Sequence, residues 1–303
     1  MTSAPQSGGT NSYTIEEKEF SAPTLLPGLY ITATPIGNLA DITIRALGTL
    51  AGADIVLCED TRHTRRLLDR YGITASLHAY HDHNGARMRP RIQGWIGEGK
   101  SVVLVSDAGM PLVSDPGYKL ASLMRENGHD VHVVPGASAP IAALAVSGVP
   151  SDRFLFAGFL PPKSQARRNL LAELGKVRAT LIFFETAKRL RASLADIGAV
   201  LGARQVAVAR ELTKIHEEVL AGSADEVAEK FTVEKGEITL LIAPGDEEAS
   251  GVDDSEIDAQ LRDALATMPA GKAASAVAKS LGIKRNQLYQ RALELKEDLA
   301  ANE

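Results

Sequence analysis

Residues that could do chemistry gather in short polar segments, each at the end of an apolar run. SDAGMP at 106–111 follows the aliphatic run 102–105, and TPIGN at 34–38 follows 29–32. EDTRH at 59–63 follows 54–57, and PGASA at 135–139 follows 131–134. A carboxylate among small residues at the carboxyl end of a strand is how open α/β sheets hold ligands. Asp107 offers two acceptor oxygens, and Gly109 allows close backbone approach to a ligand. These segments are rich in small residues and poor in nucleophiles, which suits holding a cofactor better than attacking a bond. The second half of the chain adds FFET at 183–186, ARELTKIHE at 209–217 and KGE at 235–237. For proton transfer the candidates are His63, His81, Asp82, His83 and Lys163, and no spacing selects one of them. Two histidines two apart without a third ligand do not predict a metal site.

The elements that must position these segments follow from hydrophobic spacing. Short β-branched runs alternate with helical patterns, such as Ile42, Ile44, Leu47 and Leu50, or Leu120, Leu123 and Met124. That alternation predicts a mainly parallel sheet whose loops converge on one edge. Asp41 is a candidate N-cap for the first helix, and Ser138 for the helix at 140–146. GVPSDR at 148–153 punctuates the chain, after which apolar runs recur at 154–159, 181–184, 206–209 and 238–242. The expected organisation is a disordered tail at 1–24, α/β domains at 25–147 and 148–245, and an acidic linker at 246–254. A helical domain follows at 255–303, with helices over 255–267, 271–280 and 284–297. In the last two, KAASAVAKSLGIKRNQLYQRAL has helix-turn-helix spacing.

Composition sets bounds. The chain has 303 residues, 45% hydrophobic and 23% charged, as in ordinary globular proteins. One cysteine excludes a disulfide framework and fits a reducing, cytoplasmic compartment. No apolar run approaches the ~20 residues of a membrane span, and the N-terminus lacks a secretion pattern. The net charge of -5 argues against a chain wholly dedicated to nucleic acid, yet residues 161–191 carry eight Lys and Arg against two Glu. Residues 269–296 carry six basic residues and one acidic one, while 246–258 hold seven acids and no base. Locally basic faces on an acidic chain suit a polyanionic substrate in one groove. Walker, zinc and Gly-x-Ser-x-Gly patterns are missing, and GWIGEG at 94–99 precedes a strand, which excludes the dinucleotide fingerprint.

The ordered series ATPIGNLADIT, EDTRHT, HDHN, VSDAGMPLVSDPGY, PGASA, GFLPPKSQARR, ARELTKIHE and KGE, spanning about 28–243, resembles the tetrapyrrole methylase family. Within that family it looks like the members that methylate small-subunit ribosomal RNA and carry a helix-turn-helix extension. The resemblance implies two α/β domains with S-adenosylmethionine in the cleft between them, commonly in a homodimer. It also implies methyl transfer to the ribose 2′-hydroxyl of a cytidine in the small ribosomal subunit. Carried over residue by residue, the cofactor positions are Pro35, Gly37, Asp107, Ala108, Gly109, Ser138, Ala139, Phe184, Glu185, Leu212 and Glu237. Two other readings are a methyltransferase acting on a small tetrapyrrole and a non-catalytic RNA-binding protein. The Arg-rich segments and helical tail weigh against the former, the ligand-type loops against the latter.

Overall fold

The computed structural model describes residues 11–245, 254–281 and 285–301. It divides into two compact units, one ending at Pro244 and the other starting at Gly245.

The larger unit opens with a hairpin, β1 (Ser12–Ile15) and β2 (Lys18–Ser21). Part of the expected tail is therefore ordered. Tyr13, in a segment whose composition reads as a linker, is 6% exposed and packs against the first core. One aromatic anchor outweighs the polar average. Then come β3 (Gly28–Thr32), α1 (Ile44–Gly52), β4 (Ile55–Cys58), α2 (Thr61–Arg70), β5 (Leu77–Ala79) and α3 (Asp82–Gly97). β6 (Ser101–Leu104), α4 (Tyr118–Glu126), β7 (Val131–Val134) and α5 (Ala139–Val146) complete this half. Its strands form an all-parallel sheet, ordered β5-β4-β6-β3-β7. The period-two alternation of side chains gives it two apolar faces. Val103 and Val105 meet α1 and α2, whereas Val102 and Leu104 meet α3 and α4. Helix α1 is capped by Thr43, which accepts from Ala46 N at 3.1 Å, so the cap is not Asp41.

The second half holds β8 (Phe154–Phe159), α6 (Ser164–Leu174), β9 (Thr180–Thr186), α7 (Ala187–Leu201), β10 (Val206–Arg210), β11 (Glu218–Gly222), α8 (Ala224–Lys230) and β12 (Glu237–Ile242). Its sheet runs β11-β10-β12-β9-β8, and only β8 and β9 pair in parallel. The departure from a parallel sheet has a local cause. No helix separates β10 from β11, so the chain turns straight back as antiparallel neighbours do. One face of this sheet packs on α6, α7 and α8. The other, through Ile182, Ala207, Ala209 and Leu241, packs on Ile36, Ala143, Leu144 and Val149 of the first half. The segment at 148–153 is thus no free linker, and the two halves share a core.

The smaller unit comprises α9 (Asp254–Leu265), α10 (Ala270–Leu281) and α11 (Arg285–Ala301), with its own core of Leu261, Ala274, Val277, Leu288 and Ala292. Most of the expected acidic linker, and Gly282 and Ile283 of the expected LGI turn at 281–283, lie outside the described residues. Among the described residues no helix is long and apolar enough to cross a membrane.

Candidate active site

Where the two halves meet, a cavity of about 420 Å³ opens. Its size falls in the roughly 300–1,000 Å³ range of small-molecule sites. The first half contributes loops that leave the carboxyl edge of its sheet. β3 runs into Thr34, whose N–H donates to Gly109 O at 2.9 Å, while Gly109 N–H donates to Thr34 O at 3.1 Å. This bridge ties the loop after β6 to the loop after β3. Gly109 has φ +80°, and a Cβ there would lie 3.2 Å from Ile36 Cγ2, so any other residue is strained at this position. Asp107 is steadied by Asp60 N–H at 3.2 Å.

The second half contributes strand ends and one turn. Phe184 lies edge-on to Phe156 and tilted to Phe159. Glu185 is committed to its own corner. Its carboxylate accepts from Ser193 Oγ at 2.6 Å and from Thr186 N at 2.7 Å, and pairs with Arg189 Nε at 3.1 Å. Lys214 Nζ joins Glu211 and Glu237, each at 2.9 Å. Glu211 is held below the usual carboxylate range, first by the Glu237 N–H and then by Lys214, against the opposing effect of burial.

Of the candidate cofactor residues, Asp107, Ala108, Gly109, Ser138, Ala139, Phe184, Glu185, Leu212 and Glu237 line this cavity. Pro35 and Gly37 flank Ile36, which lines it, but do not line it themselves. Gly37 instead seams the halves together. A Cβ there would meet Lys214 Cγ at 2.5 Å, and the neighbouring Asn38 N–H donates to Thr213 Oγ1 at 3.0 Å. Ser138 occupies the N-cap position of α5 without a capping hydrogen bond from its hydroxyl.

The proton-transfer candidates separate. His81 and Asp82 line a neighbouring cavity of about 380 Å³, together with Tyr80, Arg89, Asp115, Tyr118 and Lys119. His63 lies exposed on α2 and Lys163 exposed before α6, and neither lines either cavity. His83 follows on α3, its ring edge-on to His81. Among the described residues, no group of three or more His, Cys, Asp or Glu is arranged to hold a metal.

Asp115 went unnamed in the sequence reading, and it stands on the wall common to both cavities. Burial, then the charges of Glu59 and Asp107, push its carboxyl up to about 6 against a hydrogen bond from Ser106. A signal existed in the sequence: S-D-x-G occurs at 106–109 and again at 114–117.

The basic helix also differs from expectation. Arg167 is 3% exposed and pairs with Asp196 at 2.6 Å, and Arg168 Nε lies 2.6 Å from the same carboxylate. Ser164 Oγ donates to it as well. Burial works to raise Asp196, but hydrogen bonds from Arg168, Ser164 and Arg167 outweigh it and hold the carboxyl low. These two arginines anchor α6 to α7.

Residues 28–228 match the family model for Tetrapyrrole (Corrin/Porphyrin) Methylases. The chain belongs to the tetrapyrrole methylase family. Residues 251–296 match the RsmI C-terminal HTH domain. Ribosomal RNA small subunit methyltransferase I of Mesorhizobium japonicum is 50% identical over 287 residues, 93% of this chain and 97% of that protein. The protein of that name from Escherichia coli O157:H7 is 46% identical, covering 88% of this chain and 94% of its own. Among solved structures, Thermus thermophilus uroporphyrin-III C-methyltransferase complexed with S-adenosylhomocysteine superposes with a TM-score of 0.50 at 19% identity. That superposition covers 71% of this chain and 96% of the other, and it speaks for the fold alone.

The lining of the larger cavity fits the cofactor of such a methylase. Among the described residues it presents Asp107, Asp115, Glu185 and Glu237, and no Lys, Arg or His. An acidic pocket favours a sulfonium and an ammonium group, while the start of α5 offers backbone N–H groups to a carboxylate.

Proposed function

We propose that the chain transfers a methyl group from S-adenosylmethionine to the ribose 2′-hydroxyl of a cytidine in small-subunit ribosomal RNA. One observation carries this reading. The two relatives named ribosomal RNA small subunit methyltransferase I match nearly end to end, C-terminal helical unit included, at 46–50% identity. A small soluble ring would not require that helical unit.

Bound in the larger cavity, the cofactor supplies an electrophilic methyl carbon on sulfur. On this reading the chain's own residues do the rest. The amides at Ser138 and Ala139 receive the carboxylate of the methionine portion. Asp107 accepts hydrogen bonds from its ammonium. Phe184 packs against adenine, and Gly109 lets the loop close over the ligand. Most of the rate gain comes from orienting the acceptor oxygen and excluding water. The reading carries with it a cytoplasmic enzyme. It also includes a homodimer, for which the exposed Val133, Ile141 and Val146 beside the edge strand offer apolar surface. Sedimentation showing a monomer at micromolar concentration removes the dimer.

The test is incorporation of labelled methyl into small ribosomal subunits from a strain lacking the activity. Label on one cytidine ribose is expected. Label confined to a tetrapyrrole added as competitor would overturn the reading.

Removing residues 250–303 separates cofactor binding from RNA binding. The larger unit has its own core and every proposed cofactor residue, so S-adenosylmethionine affinity should stay within about twofold. The deletion removes Lys272, Lys279, Lys284, Arg285, Arg291 and Lys296, so apparent affinity for the ribosomal substrate should fall. The gap between truncated and full-length protein should widen at low salt, where phosphate contacts are strongest. A stable truncated protein with undiminished methylation at both salt concentrations would sink the RNA-tether idea.

A further inference from the structure

We propose that Asp115 is the base that takes the proton from the acceptor hydroxyl, with the nucleotide that bears this hydroxyl seated in the neighbouring cavity. This rests on the RNA methyltransferase reading above. Among the described residues, Asp115 alone lines both cavities. A group that serves both a methyl carbon in one and a hydroxyl in the other must stand at that junction.

The loop is built to hold Asp115 there. Leu112 and Ser114 have φ of +72° and +63°, a left-handed backbone that non-glycine residues avoid. The turn closes at Gly117, where a Cβ would lie 2.7 Å from Leu112 Cδ1 and 2.8 Å from Leu104 Cδ2. Gly158 of the second half comes up beside Ser114, a Cβ there standing 3.4 Å from Ser114 Oγ. Both halves of the unit therefore flank the residue next to Asp115.

The neighbouring cavity has the chemistry of a nucleotide site. Tyr118 is 73% exposed at its rim and offers a ring face to an unstacked base. Arg89 and Lys119 supply charge for the flanking phosphates. His81 lines the same wall at the start of α3.

The step balances. The 2′-oxygen forms a bond to the methyl carbon as the methyl–sulfur bond breaks and its electron pair passes to sulfur. The hydroxyl proton passes to the Asp115 carboxylate and then to solvent. The groups facing Asp115 are Glu59 before α2, Asp107 after β6, Ser106 beside it, Asp82 and Arg89 of α3 with His81 at its start, and Lys119 of α4. Burial, with Glu59 and Asp107, raises the carboxyl to about 6, so it is mostly ionised at pH 7 and a stronger base than an ordinary aspartate. Protonation below that value removes the base.

The test compares wild-type protein with Asp115→Asn and Asp115→Ala on small ribosomal subunits. Wild-type kcat/KM should fall on an acidic limb near pH 6. Asp115→Asn should melt close to wild type, lose less than tenfold in S-adenosylmethionine affinity by calorimetry because Asp107, Glu185 and Glu237 keep the pocket acidic, and lose roughly 10²–10⁴-fold in kcat together with the acidic limb. Formate should restore part of the rate to Asp115→Ala and none to Asp115→Asn, whose side chain fills the space. Persistence of the limb or of most of the activity in Asp115→Asn overturns the assignment and leaves the RNA reading standing. So does a tenfold or greater loss of cofactor affinity, which would make Asp115 a cofactor ligand. A misfolded Asp115→Asn leaves the decision to formate rescue, whose failure counts against the proposal. A wild-type protein that leaves subunits unlabelled fails both readings.

Discussion

Gly109→Val is expected to weaken S-adenosylmethionine binding by at least about 100-fold, some 2.7 kcal/mol, while the protein still unfolds cooperatively. At φ +80° a β-branched side chain is a backbone outlier, and its Cβ already crowds Ile36 Cγ2 at 3.2 Å. The γ-carbons have to go somewhere, and the cavity lined by Gly109 is the open side. The strain itself costs about 1–3 kcal/mol, a cost that a core shared between two sheets tolerates. The reciprocal hydrogen bonds between Thr34 and Gly109 are backbone bonds that survive the substitution in kind. Calorimetry with a thermal melt decides the matter. Wild-type affinity in a well-folded variant would remove residues 107–109 from the cofactor site.

Arg167→Glu is expected to destabilise the larger unit by about 3–5 kcal/mol, the cost of breaking a buried pair by removing one partner. It puts a carboxylate against Asp196, whose own side chain is 4% exposed, and strips that carboxylate of its buried guanidinium. The lost bonds to Pro161 O and Ala192 O add unsatisfied backbone to the damage. A melting temperature lower by roughly 10 °C follows for a unit of this size. Arg168, half-exposed on the same carboxylate, should matter less. The pH dependence has a definite sign. Asp196 is held below its unfolded value, so the stability it contributes is present above the unfolded carboxylate range and is lost as pH falls through its folded value. A well-folded Arg167→Glu variant with weakened RNA binding would return this arginine to the RNA-facing role that its sequence context predicts.

What the amino-acid sequence determined by itself was local and periodic. The β-branched run at 102–105 could only be a buried strand, because alternating residues must be apolar when helices cover both faces, and Val102 and Val103 do point to opposite cores. The small-residue loops at strand ends predicted a place of close backbone approach, and Gly109 stands at a φ of +80° on the cavity wall. Helix positions followed from apolar spacing to within a few residues, as for α4 and α5.

Whatever depended on distant partners was decided by tertiary structure. Tyr13 makes an ordered hairpin out of a tail-like composition because it has a core to enter. The place of β12 between β10 and β9 was decided the same way, because spacing along the chain does not encode strand order. Arg167 reads as a surface cation until Asp196, 29 residues on, is found beneath it. Asp115 reads as a turn residue beside Pro116 and Gly117. Its burial, and the charges of Glu59 and Asp107, arise only when the loops after β4 and β6 meet at one sheet edge. A charge carries no mark in sequence of whether its field will be screened by water or concentrated by its neighbours, and for these carboxylates and arginines the tertiary structure makes that difference.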